Sequence, residues 1–313
     1  MCGAAGGRLV DSPGGSIDSQ FDAAGFLYVA GQMVRTRDNG AMKTLRFKQV
    51  DVFTAKPFLG NPVAVVIDAE ALDTAQMQRI AGWTNLSETT FLLKSDKADY
   101  RLRIFTPRQE LPFAGHPTIG SAHAALESGF VARKKQLVQE CGAGLIELDV
   151  EPDGRIFLKG PPPKLEQMET QIPSIPLLPA SKVIKVDVGP IWVVGEMSDA
   201  RALAALKPDM TALAEWSLSL GVTGATVFAP SGESSSAIHV RSFAPAHAIA
   251  EDPVCGTGNL SVAAVVEQRF GAEYIARQGM QMGRNGQVFV RRRQNSVYLG
   301  GHAVTCVDGT LAC

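Results

Sequence analysis

The sequence predicts an α+β fold built from two similar, strand-rich halves, each carrying one Ala-rich helix. Three observations predict it. Runs with strand periodicity outnumber helical ones along most of the chain. The spelling Arg-x-Phe-x-Pro occurs twice, as Arg103-Ile-Phe-Thr-Pro107 and Arg241-Ser-Phe-Ala-Pro245, each ahead of a Gly- and Pro-rich turn and an Ala-rich run. Between the two lies a proline-dense stretch from Gly160-Pro-Pro-Pro163 to Pro179. A five-residue match with two free positions arises by chance often enough. Its matched place before a helix in both halves favours duplication.

The elements follow in order. Residues 1–41 are rich in Gly, Ala, Ser and Asp and keep no period, so they read as a leader outside the fold, disordered or not native. Asp11, Asp18 and Asp22 precede its short apolar piece, where a secretory signal needs positive charge. The functional fold is expected to start near Met42. Strand alternation begins at 47–53, and 73–84 reads as a helix with Asp73 as N-cap. A strand at 99–105 leads to a helix over 117–129, with Pro at its start and Gly at its end. A strand at 145–150 closes the first half-domain, 42–165. After a Pro-rich linker (166–180), the second half-domain, 181–313, reads as strands at 183–188, 191–194, 226–229, 238–243, 288–292 and 303–307. Its helices are expected at 203–206, 209–220 and 258–270.

Composition narrows the function classes. At 313 residues, with 45% hydrophobic and 19% charged, the chain can bury a full core. A net charge of −1 argues against a broad phosphate-binding face. Arg291-Arg-Arg293 is one short basic run beside a strand, and reads as a solvated strand end rather than a nucleic-acid contact. No apolar run reaches the length of a membrane span. The five cysteines, Cys2, Cys141, Cys255, Cys306 and Cys313, are scattered and lack CxxC spacing. That pattern fits a reducing cytoplasm and neither a disulfide framework nor a structural zinc site. No dinucleotide, P-loop or nucleophile-elbow spelling is present, so no nucleotide, flavin or metal cofactor is expected.

The chemistry concentrates in two turns: Glu110-Leu-Pro-Phe-Ala-Gly-His-Pro-Thr-Ile-Gly120 and Glu251-Asp-Pro-Val-Cys-Gly-Thr-Gly-Asn259. Each runs into an Ala-rich helix. A helix start exposes unpaired N–H groups and a partial positive charge. Two such starts facing one cleft could hold a carboxylate or a developing negative charge. Gly115, Gly256, Thr257 and Gly258 would supply those N–H groups to a substrate. On residue type alone, Glu88 reads as a solvated loop glutamate, His116 equally as a helix-capping or a substrate-binding histidine, and Asp252 as an N-cap-type aspartate that can also face a substrate. His123 lies seven residues after His116, about 10 Å along the helix, too far to share a metal ion with it.

Asn85-Leu-Ser-Glu-Thr-Thr-Phe91, Glu110-Leu-Pro-Phe-Ala-Gly-His-Pro117 and Glu251-Asp-Pro253 together resemble the phenazine-biosynthesis-like (PhzF-type) isomerase family. Gly60-Asn-Pro-Val-Ala-Val65 and Gly300-Gly-His-Ala-Val304 agree, and the resemblance runs from about Lys43 to Leu311. It implies a diaminopimelate-epimerase-like fold, with two barrel-like halves each wrapped around a central helix and an active site between them. Members often form homodimers. It implies a cofactor-independent isomerase that moves a proton within a small carboxylate-bearing metabolite. Glu88 would be the catalytic carboxylate, tuned upward by burial, while His116 and Asp252 would complete the catalytic set and position the substrate.

Cys255 departs from that family pattern. Cys255-Gly-Thr-Gly258 copies the spelling of one catalytic thiol in the epimerases of this fold, but Ala114 stands where the partner thiol belongs. Cys255 therefore reads as a small residue packed at the helix start beside the substrate, with a pKa that a helix N-terminus could lower. A racemase or epimerase using Cys255, and an inactive binding protein of the same fold, are the alternatives.

Overall fold

The computed structural model describes residues 27–29, 32–34, 44–178, 182–294 and 296–313. The chain divides into two compact units, Thr44–Leu311 and a small one comprising residues 1–43 with 312–313. Of the leader, the described part is an antiparallel hairpin of β1 (Leu27–Val29) and β2 (Gln32–Val34). The expectation that residues 1–41 are disordered or not native otherwise lies outside the described residues.

The first half of the large unit comprises β3 (Thr44–Val52), β4 (Asn61–Ile67), α1 (Thr74–Thr84), β5 (Thr89–Leu93), β6 (Tyr100–Phe105) and β7 (Glu110–Leu111). It continues with α2 (Gly115–Glu127), β8 (Gln136–Cys141), β9 (Gly144–Val150), β10 (Ile156–Lys159) and β11 (Lys164–Met168). The second half comprises β12 (Val183–Asp187), β13 (Ile191–Glu196), α3 (Ala200–Ala205), α4 (Met210–Leu220), β14 (Gly224–Glu233), β15 (Ser236–Ala244) and β16 (Ile249–Asp252). It ends with α5 (Gly256–Val266), β17 (Glu273–Gln278), β18 (Gly286–Arg293), β19 (Ser296–Gly301) and β20 (Ala303–Ala312).

The strand ladders repeat. In the first half β3–β4 is antiparallel, β4–β5 parallel, β5–β6 antiparallel, β6–β8 parallel and β8–β9–β10 antiparallel. In the second half β12–β13, β13–β14, β14–β15, β15–β17 and β17–β18–β19 follow the same alternation. The halves join where β10 pairs β19 antiparallel. Each half also borrows a strand. β11, from the first half, pairs β12, and β20 runs beside β3, where Lys48 Nζ lies 2.7 Å from Asp308.

Each sheet wraps a central helix. α2 packs against β3, β4, β5, β6 and β10, and α5 against β12, β13, β14, β18 and β19. Strands surround these helices, so small residues are needed nearly all round: Gly120, Ser121, Ala122, Ala124 and Ala125 are buried in α2, and Ser261, Ala263 and Ala264 in α5. The α5 helix stops at Val266, short of the expected 270, because Glu267 takes φ 48° and leaves the helical region. The stretch that reads as linker contains β11. Its residues are mostly exposed, so no burial pattern marks it as a strand.

The twice-occurring Arg-x-Phe-x-Pro has a structural purpose. Arg103 on β6 lies over the Phe105 ring, 5.1 Å from its centroid, and grips Glu110 of β7 at 2.7 and 2.6 Å. Arg241 on β15 lies 5.0 Å from Phe243 and grips Glu251 of β16 at 2.9 and 2.8 Å. Each two-pronged bond fixes the short strand that leads into a central helix. In the Arg291–Arg293 run, Arg291 pairs with Glu151 and Glu273, Arg293 with Asp149, and Arg292 donates to the Ala263 carbonyl. These guanidinium groups are engaged by the fold itself.

Candidate active site

The two central helices start against each other. A Cβ built on Gly256, the first residue of α5, would sit 3.8 Å from the His116 backbone nitrogen in the first turn of α2. Ala114 caps α2 without a side-chain hydrogen bond, and Cys255 caps α5 by accepting from Gly258 N through Sγ at 3.2 Å. The N–H groups of Gly115, His116, Gly256 and Thr257 have no partner among the described residues. A Cβ on Gly115 would meet open space, so this edge of the helix start faces the opening. Four donors and two positive helix ends therefore converge on one spot.

Glu88 reaches this spot from the turn between α1 and β5. The turn is set by Asn85, which ends α1 in the left-handed region at φ 54°. The Glu88 side chain is 14% exposed, and its Oε2 lies 3.3 Å from His116 Nε2. Neither atom makes a hydrogen bond. Burial pushes the Glu88 carboxyl up to about 7 and His116 down to about 4. An ion pair would shift both the other way, so desolvation governs and the close contact is not a salt bridge at neutral pH. The Pro62 carbonyl faces the His116 ring. With the single proton of the neutral ring on Nδ1, toward that carbonyl, the Nε2 lone pair would point toward Glu88.

Asp252 completes the group from the end of β16. Its Oδ1 accepts from Asn61 Nδ2 at 3.1 Å and from Val254 N at 3.0 Å. Burial raises its carboxyl to about 6 and the Glu88 charge adds to the rise, against the pull of His116. Cys255 is buried, packed at the helix start as expected. The expectation that a helix N-terminus could lower its pKa is corrected: burial and the Asp252 charge push the thiol well above 9. Thr257 Oγ1 accepts from Trp192 Nε1 at 3.0 Å. The expectation that Gly258 offers its N–H to a substrate is corrected, because Cys255 Sγ takes that N–H as the helix cap; Gly258 is required instead by close approach, since a Cβ there would lie 2.5 Å from Ser242 Oγ. His123 sits apart, with Nε2 3.2 Å from Thr305 on β20. Among the described residues, no group of three or more His, Cys, Asp or Glu side chains could hold a metal ion.

The repeat makes the asymmetry of the site plain. The ladder registers place Gly224 where Glu88 stands in the first half, and Leu111 in the position of Asp252. The helix caps place Ala114 opposite Cys255 and His116 opposite Thr257. A Cβ at Gly224 would lie 1.9 Å from the Phe243 carbonyl oxygen, so no side chain fits there. One carboxylate and one capping thiol result, rather than two matched thiols.

Sequence reasoning missed Asn61, Gln278 and Trp192 as parts of the site. Asn61 stood only as a motif residue in Gly60-Asn-Pro62, and nothing local marks the other two.

Comparison with known proteins places the chain. The profile of the family described as "Phenazine biosynthesis-like protein" matches residues 50–309. The chain is 42% identical over 289 residues to "Antisense-enhancing sequence 1" of Schizosaccharomyces pombe, covering 84% of this chain and 97% of that one. It is 32% identical over 284 residues to the trans-2,3-dihydro-3-hydroxyanthranilate isomerase of Pseudomonas aeruginosa, covering 84% and 98%. Its fold superposes on a crystal structure of a Bacillus anthracis phenazine biosynthesis protein with TM-score 0.78 and 27% identity, covering 86% and 99%.

Proposed function

The chain belongs to the phenazine biosynthesis-like family, has its diaminopimelate-epimerase-like fold and is an isomerase, and from that premise we propose how it works. It moves a proton within a small carboxylate-bearing metabolite, without a cofactor, with Glu88 as the acid and base. The observation that carries this reading is the meeting of buried His116 with half-buried Glu88 and Asp252 at two open helix starts.

The chemistry follows from the geometry. Ionised Glu88 takes a proton from a substrate carbon, and the electron pair left behind delocalises toward the substrate carboxylate. The N–H groups of Gly115, His116, Gly256 and Thr257 hold that negative charge. Protonated Glu88 then returns the proton to a second carbon, so enzyme and proton count are restored. A pKa near 7 lets the same group act in both directions at neutral pH. Neutral His116 presents an acceptor lone pair that orients a substrate hydroxyl or amine and the Glu88 proton. Asp252 receives the same polar group from the other side.

The test is turnover of a panel of small carboxylate metabolites, including the substrate named for the Pseudomonas aeruginosa enzyme, by the full chain and by Glu88→Gln. The reading requires Glu88→Gln to fall by at least about a thousandfold, since one residue serves as both the general base and the general acid. The site weighs against an epimerase working through Cys255, because the thiol is held protonated and faces Ala114 in the repeat. The Schizosaccharomyces pombe relative is named for antisense enhancement rather than a reaction. It motivates the one other reading, a binding protein of the same fold, in which Glu88→Gln would leave binding unchanged and no turnover would exist to lose. The proposal includes a cytoplasmic homodimer, supported by the family resemblance; among the described residues no helix is long and apolar enough to cross a membrane. Sedimentation equilibrium measures the dimer directly.

A further inference from the structure

Asp252 is held by a buried polar network that crosses between the halves. Asn61, at the start of β4 in the first half, is 2% exposed. Both protons of its amide are committed to the second half: one to Asp252 Oδ1 at 3.1 Å, the other to the Val254 carbonyl at 3.0 Å. Val254 N also bonds Oδ1, at 3.0 Å. Both bonds thus end on one carboxylate oxygen, and Oδ2 is left to meet a ligand or the Cys255 thiol. The backbone of Asp252 is fixed as well, because its carbonyl accepts from Gln278 Nε2 at 3.0 Å. Gln278 is fully buried, and its Oε1 accepts from Asn259 Nδ2 at 2.8 Å, while Asn259 Nδ2 also reaches the Cys255 carbonyl at 2.9 Å.

We propose that Asn61 is a positioning residue of this active site: from one half it orients the Asp252 carboxylate of the other and selects Oδ2 as the oxygen presented to substrate. The inference rests on the reading of Asp252 as a site residue. The chemistry of the position supports an amide in particular. Asn61 meets two acceptors, so it must bring two donors. Aspartate would set acceptor against acceptor, serine could serve one of the two, and glutamine would be a methylene too long. The repeat supports it too. The ladder register places Pro190, which has no side-chain donor, where Asn61 stands, and Leu111 where Asp252 stands. The strap and the carboxylate it holds therefore occur together in one direction across the halves and together lack counterparts in the other.

The experiment is a carbon-13 NMR titration of the full chain labelled at the aspartate carboxyls, with the Asp252 resonance assigned by Asp252→Asn. A donor aimed at the ionised form lowers a carboxyl's pKa, so its removal raises it. Asn61→Ala is expected to move the Asp252 midpoint up by about one unit, a tenfold rise in proton affinity. A purely structural Asn61 would lower the melting temperature and leave the midpoint in place, and that result overturns the proposal. Should Asn61→Ala fail to fold, Asn61→Ser is read in the same way, with a smaller rise expected. The titration needs no substrate, so its outcome is separate from that of the isomerase reading.

Discussion

On the proposed reading Glu88 is buried for function at a cost in stability, and that cost can be measured. Its carboxyl has an ordinary value of 4.5 and is pushed up to about 7 by burial, with the side chain 14% exposed. The folded state therefore binds this proton more tightly than the unfolded chain. Stability is unaffected below about 4.5, falls as pH rises between about 4.5 and 7, and stays lowered above that. A difference of about 2.5 pKa units is worth about 3 kcal/mol at 1.36 kcal/mol per unit. The wild-type profile alone will not show it. Asp252, raised to about 6, adds a loss over much the same window, while His116, lowered to about 4, adds a gain between about 4 and 6.5. The difference between Glu88→Gln and wild type carries the Glu88 contribution together with the smaller part of the Asp252 rise that the Glu88 charge causes. In urea unfolding from pH 4 to 8.5, the advantage of Glu88→Gln should grow by about 3 kcal/mol up to pH 7 and then level off. A difference that stays constant across the range would refute the claim that burial, and not the neighbouring histidine, controls this carboxyl.

Three further outcomes follow from the same geometry. The kcat/KM of the wild type should rise with pH to a plateau just above 7, and its acid limb should steepen below about 6, where Asp252 also protonates; a flat profile would remove Glu88 as the base. Cys255→Ser should fold and keep activity within several-fold, and the native thiol should resist alkylation at pH 7; abolished turnover in a folded variant would instead identify a thiol mechanism. Arg241→Ala should destabilise by about 3–5 kcal/mol, because it strands nearly buried Glu251, whereas Arg103→Ala, whose partner Glu110 is far more exposed, should lose only about 1 kcal/mol. Equal losses in chemical denaturation would contradict that account of the repeated motif.

Much of the site was legible because its parts are local. Gly115-His-Pro117 and Gly256-Thr-Gly258 announce helix starts through Gly and Pro, and Glu88 stands in a motif. The two-half architecture was legible because Arg103 and Arg241 make the same clamp and so leave the same spelling. What stayed hidden acts at a distance. Asn61 meets Asp252 across 191 positions, and Trp192 meets Thr257 across 65. Gln278 bonds the Asp252 carbonyl, which no side-chain pattern records. The edge strand β11 was hidden for a different reason: pairing on one side with exposed faces leaves Lys164-Leu-Glu-Gln-Met168 free of alternation. The Cys255 misreading was one of magnitude. A helix start does favour a thiolate, but here burial and the Asp252 carboxylate outweigh it.

The measurement that tests the central claim most directly is deuterium incorporation followed by NMR. The full chain and Glu88→Gln would each be incubated in deuterated water with a pool of small amino, hydroxy and dihydro-aromatic carboxylates. Deuterium entering a carbon position of one compound with the wild type, and not with Glu88→Gln, is the expected result. Equal incorporation with both proteins would contradict Glu88 as the proton carrier.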